Sequence, residues 1–182
     1  MKMEILGKKV RIREKSIADA KDDYKWACDP ELSQLDAAIP LKMKYEHYLS
    51  SYVSEISYPN VRSKRFSVET LTGVHIGNCS YYNIDDSKGE AELGIMIGRR
   101  DYWNDGYGTD TVSTLLRYIF THTKMKRIYL KTLISNKRAQ HCFQKCGSQA
   151  YGTLDRNGYH FVLMEVNRHH WLSDQGKESH QG

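Results

Sequence analysis

At 182 residues, 40% of them hydrophobic and 27% charged, the chain carries enough apolar mass for one full core and needs no second domain. No apolar run reaches membrane-spanning length and Met1-Lys2-Met3-Glu4 lacks the apolar core of a secretory signal, so a soluble cytoplasmic protein with no membrane partner is expected. The net charge of +5 is spread along the chain, which suits an acidic ligand better than nucleic acid, and Cys28, Cys79, Cys142 and Cys146 have neither the spacing of a metal site nor that of a disulfide framework.

Lys8 to Arg13 alternates as a half-buried strand, and Ser16-x-x-Asp19 reads as a capping box opening a helix toward Cys28, closed off by Pro30. Glu31 to Lys44 is irregular and apolar in places, and is expected to wrap the substrate side. Asp29, Glu31, Asp36 and Glu46 could furnish a carboxylate-rich pocket there, although scattered acids are more often surface. Tyr45 to Ile56 reads as a second helix. Arg65 to Thr70, Val74 to Ile84 and Glu90 to Ile97 then read as a meander, turning at Thr72-Gly73 and through Asp85 to Gly89.

The most informative stretch follows: Arg99-Arg100-Asp101-Tyr102-Trp103-Asn104-Asp105-Gly106-Tyr107-Gly108-Thr109, between the apolar run ending at Ile97 and a helix whose Val112, Leu115, Leu116, Ile119 and Phe120 form one apolar face. A strand, a glycine turn and a helix start make an anion site, because glycine reaches backbone angles that turn successive N–H groups into one concavity above the positive end of the helix. The stretch lacks the Gly-Lys-Ser/Thr ending of a P-loop and the third glycine of a dinucleotide fingerprint. Arg99-Arg100 and Lys137-Arg138 are placed to neutralise phosphates, with solvated surface charge as the competing explanation.

Arg127 to Ile134 reads as a strand. Asn136 to Gly147 reads as a helix capped by its asparagine and ended by its glycine, on which Cys142 and Cys146 share a face as reduced, small apolar side chains. Two last strands meet at Asp155-Arg156-Asn157-Gly158, where Asn-Gly signals a hairpin. Residues 1–172 are expected to form a single domain and 173–182 a polar, frayed tail.

The glycine loop resembles motif A of the GNAT N-acetyltransferase superfamily, Gln or Arg, two residues, Gly, one residue, Gly or Ala, with Gly106 and Gly108 matching. Trp103 stands at the Gln/Arg position, as in the branch of ribosomal-protein and polyamine acetyltransferases, where a Tyr-Trp-x-x-Gly-Tyr-Gly/Ala-Thr run is common. Asn136-Lys137-Arg138-Ala139 through Phe143-Gln144-Lys145-Cys146-Gly147 is similar to the family's Asn-x-x-Ala-x-x-x-Tyr-x-Lys-x-Gly segment. More loosely, Val10 to Arg13, Ile76-Gly77 and Ala91-Glu92-Leu93-Gly94 look like the family's other strands, so the likeness extends from about Lys8 to His170.

The resemblance implies an α/β fold: a mixed, mostly antiparallel central sheet flanked by helices, with the Leu93 to Ile97 and Arg127 to Ile134 strands as parallel neighbours that splay apart. Acetyl-CoA would lie in that gap as cosubstrate, with no metal. Ile95, Met96 and Ile97 would face its pantetheine arm, Asn104, Asp105, Gly106, Tyr107, Gly108 and Thr109 its pyrophosphate, and Asn136 the second wall. The implied reaction is acetyl transfer to a primary amine of a protein N-terminus, polyamine or amino sugar, through a tetrahedral intermediate. Glu92 is the candidate base, with substrate anchor or plain strand residue as alternatives, and an N–H near Met96 the candidate oxyanion donor. The family's acid tyrosine is replaced by Phe143, leaving Tyr151 and Cys142 as stand-ins and the acid unassigned. That departure motivates the alternative of a noncatalytic acyl-CoA-binding module or sensor. Nucleic-acid binding through Tyr81, Tyr82, Tyr102 and Tyr107 is a weaker third, since strand tyrosines are usually core or cross-strand partners, and a homodimer is left open.

Overall fold

The computed structural model describes residues 3–178. Its strands are β1 (Glu4–Leu6), β2 (Val10–Glu14), β3 (Ser63–Thr70), β4 (His75–Asp85), β5 (Glu90–Ile97), β6 (Arg127–Leu133), β7 (Gln149–Arg156) and β8 (Tyr159–Asn167). The helices are α1 (Ala20–Ala27), α2 (Pro30–Leu35), α3 (Tyr45–Ser57), α4 (Tyr107–His122), α5 (Lys137–Lys145) and α6 (Arg168–Glu178). The strands form one sheet in the order β1-β2-β3-β4-β5-β6-β8-β7. Every pairing is antiparallel except β5 with β6. This is the mixed, mostly antiparallel sheet expected from the resemblance, with its single parallel pair in the expected place.

Alternation along β5 decides what each face of the sheet sees. Ala91 and Leu93 are buried in the core, with Ile95 and Ile97 packed against it beside Val112, Leu115, Leu116, Ile119 and Phe120 of α4. Glu92, Gly94 and Met96 therefore point to the opposite face, where α1 lies. The Asn78 amide of β4, in register with Met96, donates there to Asp23 at 2.6 Å.

Three sequence readings are corrected. Pro30 opens a helix instead of closing one: Asp29 caps it by accepting the Leu32 N–H at 3.0 Å, and proline fits the first helical turn because its missing N–H would have no intrahelical partner there. Part of the stretch expected to be irregular is thus α2. A further strand, β1, pairs with β2 through the turn in which the Gly7 N–H donates to Val10 O at 2.8 Å. Its three residues are too few to show a period. Finally, the Ser16-x-x-Asp19 capping box lies where the sequence places it, with the Ser16 N–H donating to Asp19 at 2.8 Å, but the turn it opens, Ile17–Asp19, is 3-10 and α1 begins only at Ala20. The polar stretch from Ser173 is helical as far as Glu178, and residues 179–182 lie outside the described residues. Tyr45 to Ile56, the Asn136 helix and the Asn157-Gly158 hairpin lie where the sequence places them.

Candidate functional site

β5 and β6 pair only at Glu90–Arg127, Ala91–Ile128 and Glu92–Tyr129. Beyond Glu92 the two strands diverge, and the edge of β5 from Leu93 to Ile97 is left without a strand partner. Just past β5, the Gly98 N–H donates to Ile76 O of β4 at 2.9 Å, so the alternation turns the backbone groups of Met96 toward β4 and those of Ile95 and Ile97 toward the gap. β4 comes unusually close here. A Cβ at Gly77 would sit 2.1 Å from Met96 O, so only glycine fits.

The gap opens into a cavity of about 500 Å³. Ile95, Met96 and Ile97 form its floor, Asn104, Gly106, Gly108 and Thr109 one wall, Asn136, Arg138, Cys142 and Phe143 another, and Leu32, Leu35 and Asp36 of the α2 region a third. Because α2 and the α4–α5 pair belong to opposite faces, the cavity is a passage through the sheet. Of the residues expected in the site, the structure brings all these together. Asp105 and Tyr107 are loop members whose side chains do not line the cavity: the Asp105 carboxylate pairs with the Lys9 ammonium at 3.6 Å, and the same ammonium lies over the Tyr107 ring, 5.2 Å from its centroid.

The glycine loop is held by contacts the sequence does not advertise. Gly106 has φ +80° and Asn104 φ +60°, conformations in the left-handed region that glycine and asparagine tolerate best. Asp110, in the first turn of α4, accepts the N–H groups of Lys8, Lys9 and Val10 at 3.1, 2.7 and 3.0 Å, which ties the helix start to the β1–β2 turn. The Trp103 indole N–H donates to Ile97 O at 2.6 Å, fixing the loop to the end of β5. On the other wall, Asn136 caps α5 by accepting the Ala139 N–H at 3.1 Å.

The cations near the loop separate into two kinds. Arg100 is committed to Asp29 at 2.9 Å and Glu31 at 2.6 Å, and Arg99 to Asp101 at 3.3 Å. Arg138 instead lines the cavity, with its guanidinium carbon 3.4 Å from the centroid of the Trp103 ring. Two of the four acids suggested for a cation pocket are thereby neutralised, and of the four only Asp36 lines the cavity.

Glu92 lies at the fork of β5 and β6, buried on the α1–α2 face. Its carboxylate accepts the Lys131 ammonium at 2.5 Å and the Asn83 amide at 3.0 Å. Burial, then the neighbouring Glu92 carboxylate, pushes the Tyr82 phenol up. The Asp36 N–H closes α2 by donating to Leu32 O at 3.1 Å, and its carboxylate has no hydrogen-bond or ion-pair partner among the described residues. Desolvation pushes its carboxyl up, partly opposed by Lys131. Sequence reasoning missed Lys131, Asn83 and Tyr82, since their strands carry no motif and only sheet register gathers them. Tyr151 is exposed on β7 against Arg127, away from the cavity, whereas Cys142 lines it and receives the Thr109 hydroxyl at 3.7 Å. All four cysteines are free thiols. No described helix is long and apolar enough to cross a membrane.

Comparison with known proteins agrees with this geometry. The chain is 25% identical over 148 residues to an uncharacterized N-acetyltransferase, p20, of Bacillus licheniformis, covering 80% of this chain and 82% of that one. It is 29% identical over 85 residues to the spermine/spermidine N(1)-acetyltransferase of Bacillus subtilis (strain 168), covering 47% of this chain and 56% of that one. Its fold matches that of the spermidine N-acetyltransferase of Vibrio cholerae, solved with CoA and spermine, at a TM-score of 0.80 and 20% identity over 90% of this chain and 98% of the other. An aminoglycoside acetyltransferase solved with coenzyme A matches at a TM-score of 0.75 and 19% identity, over 91% and 99%. The model of the acetyltransferase (GNAT) domain family matches residues 9–149, and the chain belongs to the GNAT family as an acetyl-CoA-dependent N-acetyltransferase.

Proposed function

We propose that the protein transfers acetyl from acetyl-CoA to a primary amine by direct attack, with a polyamine-type acceptor favoured among the amines the branch uses. The observation that carries this reading is the passage itself: the free edge of β5 opens at one end on the glycine loop and at the other on Asp36, beside the Glu92–Lys131 pair. The pantetheine arm would add to the Ile95 edge as a strand does, with the pyrophosphate over residues 104–109 and Asn136 on the far wall.

The thioester would then present its carbonyl at the fork, where the amine arrives from the α1–α2 face. An alkyl amine is mostly protonated at neutral pH, so attack requires a proton to leave. Glu92, held by Lys131 and Asn83, accepts it directly or through an ordered water. Nitrogen attacks the carbonyl carbon, the tetrahedral oxyanion forms, and its collapse expels the CoA thiolate. Because Met96 turns its backbone groups toward β4, the oxyanion donor in this reading is the gap-facing N–H of Ile95 or Ile97. A thiolate leaves readily near neutral pH, which lessens the need for the tyrosine that Phe143 replaces.

Asp36 supports the polyamine preference. Its exposed, unpartnered carboxyl at the mouth of the cavity would gain a partner from the distal ammonium of a diamine or polyamine, which a monoamine lacks. Support also comes from the spermine and spermidine acetyltransferases among the similar proteins. The test is calorimetric titration with acetyl-CoA followed by thiol release against spermidine, an aminoglycoside and a peptide N-terminus. Micromolar binding with release on spermidine is the expected result. Release only on another amine would reassign the acceptor, and binding without release on any amine would favour the noncatalytic module.

A further inference from the structure

We infer that Lys131 is itself an acceptor of the transferred acetyl group: with acetyl-CoA bound and no amine present, the enzyme acetylates this one of its own lysines. The inference rests on the acetyl-CoA reading of the cavity and concerns the amine end of the passage, where register alone brings Lys131 to the fork.

That register sets the side chain across the gap. Glu92 and Tyr129 form the last parallel rung between β5 and β6, and Lys131 stands two residues beyond Tyr129 on the strand that diverges. Side chains alternate along a strand, so Lys131 projects to the same face as Tyr129 and Glu92. Rooted on β6, it reaches back to β5, where its ammonium meets the Glu92 carboxylate at 2.5 Å. The lysine thus bridges the fork on the face from which an external amine is proposed to arrive. Its charge is also felt at Asp36 in the cavity wall, where desolvation pushes the carboxyl up and Lys131 opposes the shift.

The pair is unequal in burial. The Glu92 side chain is 7% exposed and that of Lys131 34%, so the carboxylate cannot turn to water while the ammonium keeps an open side. Without Lys131 the buried carboxylate would retain only the Asn83 amide at 3.0 Å, and that cost holds the ammonium in place. An amine fixed against the proposed base, beside the proposed thioester, has the arrangement asked of a substrate. Lys88 lacks it: it is exposed in the β4–β5 turn, 3.7 Å from Asp85 and away from the cavity.

In the transfer Glu92 takes a proton from the Lys131 ammonium, and the neutral Nζ attacks the thioester carbonyl carbon. Collapse of the tetrahedral intermediate breaks the carbon–sulfur bond and releases the CoA thiolate, which takes up the proton left on nitrogen. The products are CoA and an uncharged amide on Lys131. The pair with Glu92 is dissolved, and the amine end of the passage loses one positive charge.

The test incubates the wild-type chain with acetyl-CoA and no amine, follows acetylation lysine by lysine with peptide mass spectrometry, and measures acetyl-CoA binding on the same preparation by calorimetry. Lys131 is expected to be labelled at least about a hundredfold faster than Lys88, the low end of what a placed base contributes. The rate should not depend on protein concentration, because donor and acceptor are held in one chain. Glu92→Gln should bring labelling of Lys131 down to the rate at Lys88. Were that variant not to fold, the comparison of the two lysines in the wild-type chain carries the test alone.

Labelling of Lys131 no faster than Lys88 in a chain that binds acetyl-CoA, or a rate that rises in proportion to protein concentration, would overturn the inference. Failure of the wild-type chain to bind acetyl-CoA would instead overturn the reading on which it rests.

Discussion

On the α4 face of the sheet, Val112, Leu115, Leu116, Ile119 and Phe120 are almost wholly buried against Leu93 and Ile128 and make a dry, apolar core. On the α1–α3 face charged groups are buried among apolar ones such as Trp26, Leu32 and Tyr52. Asp19 meets Arg13 at 2.6 Å and Ser67 at 2.7 Å, while Asp23 meets Lys15, the Tyr52 hydroxyl at 2.8 Å and the Asn78 amide at 2.6 Å. The cavity runs from one environment to the other. In the proposed reaction the cofactor would sit on the apolar face, held by backbone groups, and the amine would arrive on the polar face, where carboxylates already define the field. On this proposal a single gap between two strands would serve two ligands of opposite charge.

Substitution at the fork should break this division most sharply. Glu92→Gln keeps shape and hydrogen-bonding reach but removes the proton acceptor, and kcat is expected to fall by about 10²–10⁴ with acetyl-CoA affinity little changed. A fall below about threefold would leave Glu92 as an anchor of Lys131 and nothing more, being far below the general-base range. On the cofactor side, a Cβ at Gly108 would make only ordinary contact, 3.6 Å from Cys142 Sγ, so Gly108→Asp should fold. Its carboxylate would stand where phosphate is proposed to bind, and affinity for CoA by calorimetry should fall about a hundredfold, since like charges face to face cost several kcal/mol.

The polar face should also be the one that acid dismantles. Burial opposes the charged form of Asp19, but Arg13, the Ser16 N–H and the Ser67 hydroxyl outweigh it and hold its carboxyl well below the ordinary 3.8. The native chain therefore binds fewer protons there than the unfolded one, and this stabilisation, complete above the ordinary value, is lost as pH falls below 3.8. Asp19→Ala should cost about 3 kcal/mol in urea denaturation at pH 7, because it leaves Arg13 with one fewer partner in a buried network. The gap between variant and wild type should narrow as the pH is taken down through that window. The smallest effect is expected at Asp36, whose carboxyl is open to the cavity. Asp36→Asn should raise KM for spermidine roughly fivefold while leaving a monoamine acceptor nearly unaffected, the scale of a solvent-exposed ion pair. Equal effects on both amines would remove the second-ammonium contact.

What the sequence by itself determined is local in origin. Strand alternation, the periodic face of α4, the Asn136 cap, the Asn157-Gly158 turn and the glycine loop each depend on neighbours within a few positions, so each could be read from a short window. The cofactor half of the site is built largely from such pieces, because backbone N–H groups at a helix start need only the right turn residues. Even there Pro30 misled, since proline is equally at home after one helix and at the start of the next. Tertiary structure alone decided the other half. Glu92 finds Lys131 39 residues away through the pairing of two parallel strands, Asp110 reaches back 102 residues to Lys8, and Arg100 crosses 71 residues to neutralise Asp29. Nothing local distinguishes Arg100 from Arg138 or Asp29 from Asp36. Which charge is spent on structure and which is left facing the cavity depends on partners that only the folded sheet brings within reach.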